Sequence, residues 1–304
     1  MNEPFKLPVN KVPRVDFDGY MKARDVDVAN VKTAEQFRDE IIEKLHGGYV
    51  GIVGTTLPWQ KTFDQFRFRR GEVTTWLGFN GSYKSMLTGF VLLDQINQGE
   101  KVCIASFEMK PQTSLTRLVR QGVGTDNPSL EYTDKFFDWA KKSLWFYDQQ
   151  GTVKADRIIA VIYYCAEQLG ITQFIVDSLM KCIPDEDDMN GQKRFVDRLC
   201  AAAQDLNIHI HLVHHSRKKE NENSPPGKQD AKGSGSISDQ TDNLFVVFKI
   251  PEERKHEGET DPDVMLYCLK QRNGELIGKT ALWFERHSLQ FHERPGAPVM
   301  RIVP

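Results

Sequence analysis

The sequence predicts an α/β domain: a mostly parallel sheet flanked by helices, with antiparallel strands added at its C-terminal end. Three observations lead there. Short runs that are apolar throughout, at 72–78, 101–107, 143–148, 172–177, 208–214 and 243–250, read as strands buried on both faces. Helical windows at 85–97, 111–122, 154–169 and 191–206 separate most of them, which is the alternation of a βαβ series. Further on, "VMLYCLKQR", "TALWFER" and "LQFHE" follow closely, with "NGELIG" between the first two, as antiparallel hairpins do.

Composition bounds the rest. The 304 residues suffice for one large domain or one domain plus an appendage. With 39% hydrophobic residues, 18 Phe and 5 Trp, the chain can bury a sizeable core. A net charge of −2 excludes a polybasic coat, so any anionic partner must be met by local patches. The five cysteines form no CxxC pair and read as free thiols in a reducing compartment. No apolar stretch approaches the ~18 residues of a membrane span, and "MNEPFKLPVNK" lacks a signal-peptide core. The expectation is a cytoplasmic protein with no membrane partner.

Residues 1–31 are polar and without clear period. "TAEQFRDEIIEKLHGG" then reads as a helix, with Thr33 as cap, Gln36 three positions on, and Phe37, Ile41, Ile42 and Leu45 as its apolar stripe. The division expected is an N-terminal arm and linker helix over 1–48 and one folded domain over 49–304.

In open α/β sheets, ligands sit beyond the carboxyl ends of the strands. "GFNGSYKS", Gly78 to Ser85, lies there, between a strand and a helix. That context makes it a candidate phosphate loop. Backbone N–H groups and the helix N-terminus would cradle phosphate oxygens, with Gly78, Asn80, Gly81, Ser82, Tyr83, Lys84 and Ser85 forming the cradle. Lys84 would neutralise the outer phosphates and the Ser85 hydroxyl would ligate Mg²⁺. Tyr83 stands where the pattern GxxxxGK[ST] has glycine, and this could alter the loop or slow turnover. Two other strand ends carry carboxylates. Asp177 closes "TQFIVD" and could hold Mg²⁺ through water; Glu108 follows "CIASF" and could deprotonate an attacking water. Three such features on successive strand–helix junctions point to hydrolysis of a nucleotide.

"GFNGSYKS", "SFEMK", "FIVDS", "HLVHHSRK", "GSGSISDQTDN" and "KQRNGELIG" come in the order and spacing of a known group. In this the chain resembles the RecA-fold hexameric replicative DNA helicases, a group that includes the DnaB type, the phage primase-helicases and Twinkle. The resemblance covers roughly residues 50–292. It implies a RecA-like P-loop NTPase core and a motor that uses ATP, or another NTP or dNTP, with Mg²⁺. Such a motor translocates 5'-3' on single-stranded DNA as a ring and unwinds forked duplex. It implies Lys84 and Ser85 at the phosphates, Glu108 as catalytic glutamate, Asp177 on the Mg²⁺ side and His215 at the γ-phosphate. Lys270 and Arg272 fall on the pair that reaches into a neighbouring subunit's site as an arginine finger. Their alternation out of a strand gives both the same facing. A hexameric homo-oligomer follows, with primase, loader or polymerase as further partners. No primase or zinc-ribbon module is visible ahead of the helicase-like part, so priming is expected from another protein.

Beyond the strand at 208–214 the chain turns polar and basic. Arg217, Lys218, Lys219, Lys228 and Lys232, with Lys193 and Arg194 from the preceding connection, are the candidate DNA-binding residues. In the family such loops grip a single strand by its backbone, contacts that are salt-sensitive and independent of sequence. His214 and His215 do not suggest a metal, because alternation sends them to opposite faces and no ligand spacing accompanies them. Two alternatives stay open: a recombination or repair ATPase that forms filaments, and a regulatory module that binds nucleotide but hydrolyses it weakly.

Overall fold

Strands that are apolar on both sides need cover on both sides, and the sheet is built that way. A computed structural model describes residues 16, 19, 33–39, 41–42, 54–183, 185, 188–216, 223–230, 237–255, 261–274 and 277–303. Six parallel strands come first: β1 (Val73–Gly78), β2 (Val102–Ser106), β3 (Leu144–Phe146), β4 (Gln173–Asp177), β5 (His209–His215) and β6 (Asn243–Lys249). The antiparallel extension is β7 (Val264–Gln271), β8 (Gly278–Glu285) and β9 (Gln290–His292). The order across the sheet is β3-β2-β4-β5-β1-β6-β7-β8-β9. Every run expected to be a strand forms one, with ends that differ by about one or two residues, as strand ends do.

The described helices are α1 (Lys84–Asn97), α2 (Pro111–Val123), α3 (Leu130–Ala140), α4 (Ala155–Leu169), α5 (Met189–Leu206) and the short α6 (Ile237–Gln240). Leu87 and Phe90 of α1, Leu118 of α2 and Phe136 of α3 pack on one face of the sheet with Trp76 and Phe245. Ile158 and Ile162 of α4 and Phe195 and Leu199 of α5 cover the other face over Phe174 and Leu212. Their starts carry the expected chemistry. Pro111 opens α2, where a missing N–H costs nothing. The Asp188 side chain accepts from the Gly191 N–H at 2.7 Å and caps α5.

Helix α3 was not among the sequence expectations. Its Ser129 cap accepts from the Tyr132 N–H at 3.3 Å, but only Phe136 and Ala140 are buried while Leu130 and Phe137 are exposed. A stripe that narrow leaves little periodicity to read. Of the 33–48 helix, residues 34–39 and 41–42 are described and helical, and the Thr33 N–H donates to Gln36 Oε1 at 2.7 Å. Most of the 1–48 arm lies outside the described residues.

The centre of the sheet carries two buried imidazoles whose tautomers follow from their partners. Trp76 Nε1 can only donate, so His211 Nδ1, 3.1 Å away, accepts. The His211 proton is therefore on Nε2, donating to Gln173 Oε1 at 3.0 Å. The Arg69 carbonyl can only accept, so His209 carries its proton on Nδ1, 2.6 Å from that oxygen, and its Nε2 accepts from the Thr74 hydroxyl at 2.9 Å. Burial brings His209 down to about 4 and His211 well below the usual imidazole range. Protonating His211 would turn its acceptor nitrogen against the Trp76 donor. Because the folded state binds fewer protons than the unfolded one below pH ~6.5, stability present above that pH is lost as the pH falls toward 4. For His209 alone the loss is about 3 kcal/mol. Urea unfolding at pH 7.5, 6 and 5 is expected to show a falling midpoint; a midpoint unchanged down to pH 5 contradicts this account.

Candidate active site

Adjacent strands β2, β4, β5 and β1 end on the same side of the sheet, and the register brings their ends close together. Ser106 lies opposite Asp177, Asp177 opposite Val213, and Gly78 opposite His215. Glu108, Asp177, His215 and the loop after Gly78 therefore share one rim of the sheet. The row spans three inter-strand spacings, roughly 14 Å.

The loop keeps a tight shape. A Cβ on Gly78 would meet the Val247 carbonyl oxygen at 2.5 Å and Ser82 Oγ at 2.6 Å, so only glycine fits under β6. Gly81 and Tyr83 both have positive φ, 74° and 69°. Tyr83 thus adopts the left-handed backbone that glycine takes freely, a conformation that costs other residues about 1–2 kcal/mol.

Lys84 is buried, and its Nζ donates to the carbonyls of Gly78 at 2.9 Å and Phe79 at 2.7 Å. Burial brings it down to about 8, against the opposing attraction of Asp177 and Glu108. The Ser85 hydroxyl donates to the Asp177 carboxylate, which burial nonetheless pushes up. A buried cation and a buried anion are each driven toward neutrality, a cost that a bound polyanion and its counter-cation would remove. A cavity of about 40 Å³, lined in part by Ser85, Ser106, Ser114, Arg117 and Asp177, lies beside them.

Glu108 Oε1 accepts from the Ser178 hydroxyl at 2.9 Å and lies 3.5 Å from His215 Nε2. The His215 ring is the largest influence lowering the carboxyl, which ends at about 2 against its partial burial, with Ser178 and Lys181 adding to the effect. At 3.5 Å the imidazole contact is long, so Ser178 is the tighter mechanical hold. Ser178 was not among the sequence candidates; its only signal was a hydroxyl immediately after a strand-end aspartate. His214 points the other way and is buried, as alternation requires.

Lys270 and Arg272 are not on this rim. Gln271 pairs with Asn243, and Asn243 with Thr74, at the amino end of β1. Gly78 is four residues further along β1, roughly 13 Å. Lys270 Nζ donates to the carbonyls of Ser238, Asp239 and Thr241, at 3.0, 2.6 and 2.7 Å. Arg272 is paired with Asp242 at 3.0 Å and donates to the Gln240 carbonyl at 3.2 Å. Helix α6 also meets the candidate DNA-binding segments. The Ser238 hydroxyl donates to the Lys228 carbonyl at 3.0 Å, and Gln240 Nε2 to the Lys193 carbonyl at 3.4 Å. Arg194 pairs with Asp188 at 3.8 Å. Arg217, Lys218, Lys219 and Lys232 lie outside the described residues.

A family model described as an AAA domain matches residues 64–221. Among solved structures, one described as an ATPase domain is similar over 87% of this chain and 99% of its own, with a TM-score of 0.75 and 13% identity. A DnaB-like replicative helicase, described with its interactions with primase, is similar over 86% of this chain and 67% of its own, at a TM-score of 0.68 and 14% identity. The RecA-like fold expected from the sequence is the fold of the chain.

Proposed function

The chain belongs to the AAA domain family, and from that premise we propose a ring-forming motor that spends nucleoside triphosphate to move on single-stranded DNA and part a duplex. One observation carries this reading. The groups suited to binding and hydrolysis share the carboxyl rim of the sheet, while Lys270 and Arg272 stand at the opposite end and cannot reach that rim.

The loop suits a triphosphate. Its N–H groups open the 14-residue α1, whose N-terminal dipole favours an anion. The Ser82 hydroxyl is buried without a hydrogen-bond partner among the described residues. Lys84 would exchange two loop carbonyls for phosphate oxygens, and Asn80, Gly81 and Tyr83 complete the cradle. The Ser85 hydroxyl and Asp177 carboxylate are hard oxygen donors that fit Mg²⁺, which when bound neutralises charge on the phosphates. Glu108 would orient a water and take its proton. His215, on the strand between those of Asp177 and Gly78, would sense whether the outer phosphate is present. Arg272, with Lys270, would finish the site of an adjoining copy, which leads to a closed ring. Lys193, Arg194 and Lys228, with Arg217, Lys218, Lys219 and Lys232, would meet the DNA backbone. A six-membered ring, 5'-3' movement, ATP or another NTP or dNTP as fuel, and primase, loader or polymerase as partners belong to the same proposal, as does a cytoplasmic setting.

The test pairs DNA-stimulated hydrolysis with strand displacement on a forked duplex. Wild type is expected to do both and Lys84→Ala neither. Displacement by Lys84→Ala would overturn the assignment of the loop. Filaments instead of rings under negative stain would favour the recombination ATPase.

A further inference from the structure

Tyr83 does more than tolerate its backbone. Its ring stacks on Phe284 of β8, with centroids 4.9 Å apart and planes 24° from parallel, and meets Phe291 of β9 edge-on at 6.1 Å. The Lys249 ammonium, at the end of β6, lies 5.0 Å from the ring centroid. The residue that precedes Lys84 is therefore held by β8 and β9, on the flank of the sheet away from Glu108 and Asp177. Phe291 in turn belongs to the core that includes α1, and the half-buried Phe284 packs against it. A glycine here would leave the loop free to sample many shapes. The stacked tyrosine restricts it, through its contact with Phe284. Holding a binding segment in its bound shape raises affinity by removing an ordering cost.

We propose that Tyr83 is a positioning residue for the triphosphate: it fastens the phosphate loop to the β8–β9 hairpin through Phe284, so that the loop is set for its anion before the anion arrives. The proposal rests on the reading of Gly78–Ser85 as a phosphate loop. It also makes the hairpin responsive to occupancy, because the ring joins the two.

The test uses the full chain and MgATP. Tyr83→Phe keeps the ring, so its KM and Kd are expected to rise less than those of Tyr83→Gly. Tyr83→Gly, although it restores the usual motif residue, is expected to raise KM and Kd about tenfold with kcat within about threefold. Phe284→Leu removes the stacking partner without touching the loop backbone and is expected to raise both constants similarly. The double variant is expected to be no worse than either single one. Amide exchange supplies a reading that simple destabilisation would not give. At saturating nucleotide, residues 284 and 290–292 are expected to slow in wild type and Tyr83→Phe but not in Tyr83→Gly. A Tyr83→Gly variant that binds MgATP as tightly as wild type, or that still slows exchange in the hairpin, overturns the proposal and leaves the phosphate-loop reading standing. Failure of wild type to bind MgATP at all overturns both.

Discussion

Glu108→Gln is expected to lower kcat for nucleotide hydrolysis by about 10²–10⁴ while nucleotide affinity stays within a few-fold of wild type. The substitution keeps the size of the side chain and an oxygen that can still accept from Ser178 Oγ, 2.9 Å away, but removes the basic carboxylate. Folding is little affected, because the side chain is 41% exposed. The resting site holds this carboxylate at about 2, too acidic to be an effective base. His215 and Ser178 are what hold it there. On the proposed reading, Glu108 would turn from them toward a water when the reaction proceeds. Single-turnover hydrolysis beside equilibrium binding separates the two effects. A Glu108→Gln chain that hydrolyses at the wild-type rate removes Glu108 from the reaction.

Arg272 gives the second large effect, and the mixing experiment is its sharper form. Loss of an arginine finger lowers turnover by about 10³–10⁵. Arg272→Ala alone is ambiguous here, because it strands the nearly buried Asp242, which pairs with Arg272 at 3.0 Å and also accepts from the Val73 N–H at 2.8 Å. Arg272→Lys keeps a cation beside Asp242 and loses only the planar fork, so it is the preferred variant. Arg272→Lys and Lys84→Ala chains are each expected to be inactive. Mixed in equal amounts, about a quarter of the junctions between copies join an intact loop to an intact arginine, so activity is expected to return to that order. No recovery, under conditions where the two chains are shown to co-assemble, means that the arginine does not complete a neighbour's site.

The parts of this architecture that could be read from the sequence are those that local chemistry dictates. β2, β4 and β6 announce themselves because a strand buried on both faces has no room for polar alternation. The phosphate loop and the carboxylates Glu108 and Asp177 follow from where such strands stop. Long-range pairings left no such mark. Tyr83 meets Phe284 across two hundred positions of chain, and nothing near either residue announces the other. Helix α6 is too short for periodicity to register, yet it gathers Lys228, Lys193, Lys270 and Arg272. Ser178 was hidden by the aspartate beside it, which drew the whole functional reading of that strand end.

The buried polar side chains in the sheet interior also have a mechanical consequence. Asn243 Nδ2 reaches the Thr74 hydroxyl at 3.2 Å, and that hydroxyl meets His209. Trp76 meets His211, which meets Gln173. These contacts are cross-struts running over β6, β1, β5 and β4. Apolar ladders alone would let neighbouring strands slide by a pleat at modest cost, whereas sliding any of these four would strand several hydrogen-bonding groups in a dry interior. The upper ends of three of the four carry Gly78, His215 and Asp177. Their alignment is therefore guarded from about four residues below, by side chains that never touch a nucleotide.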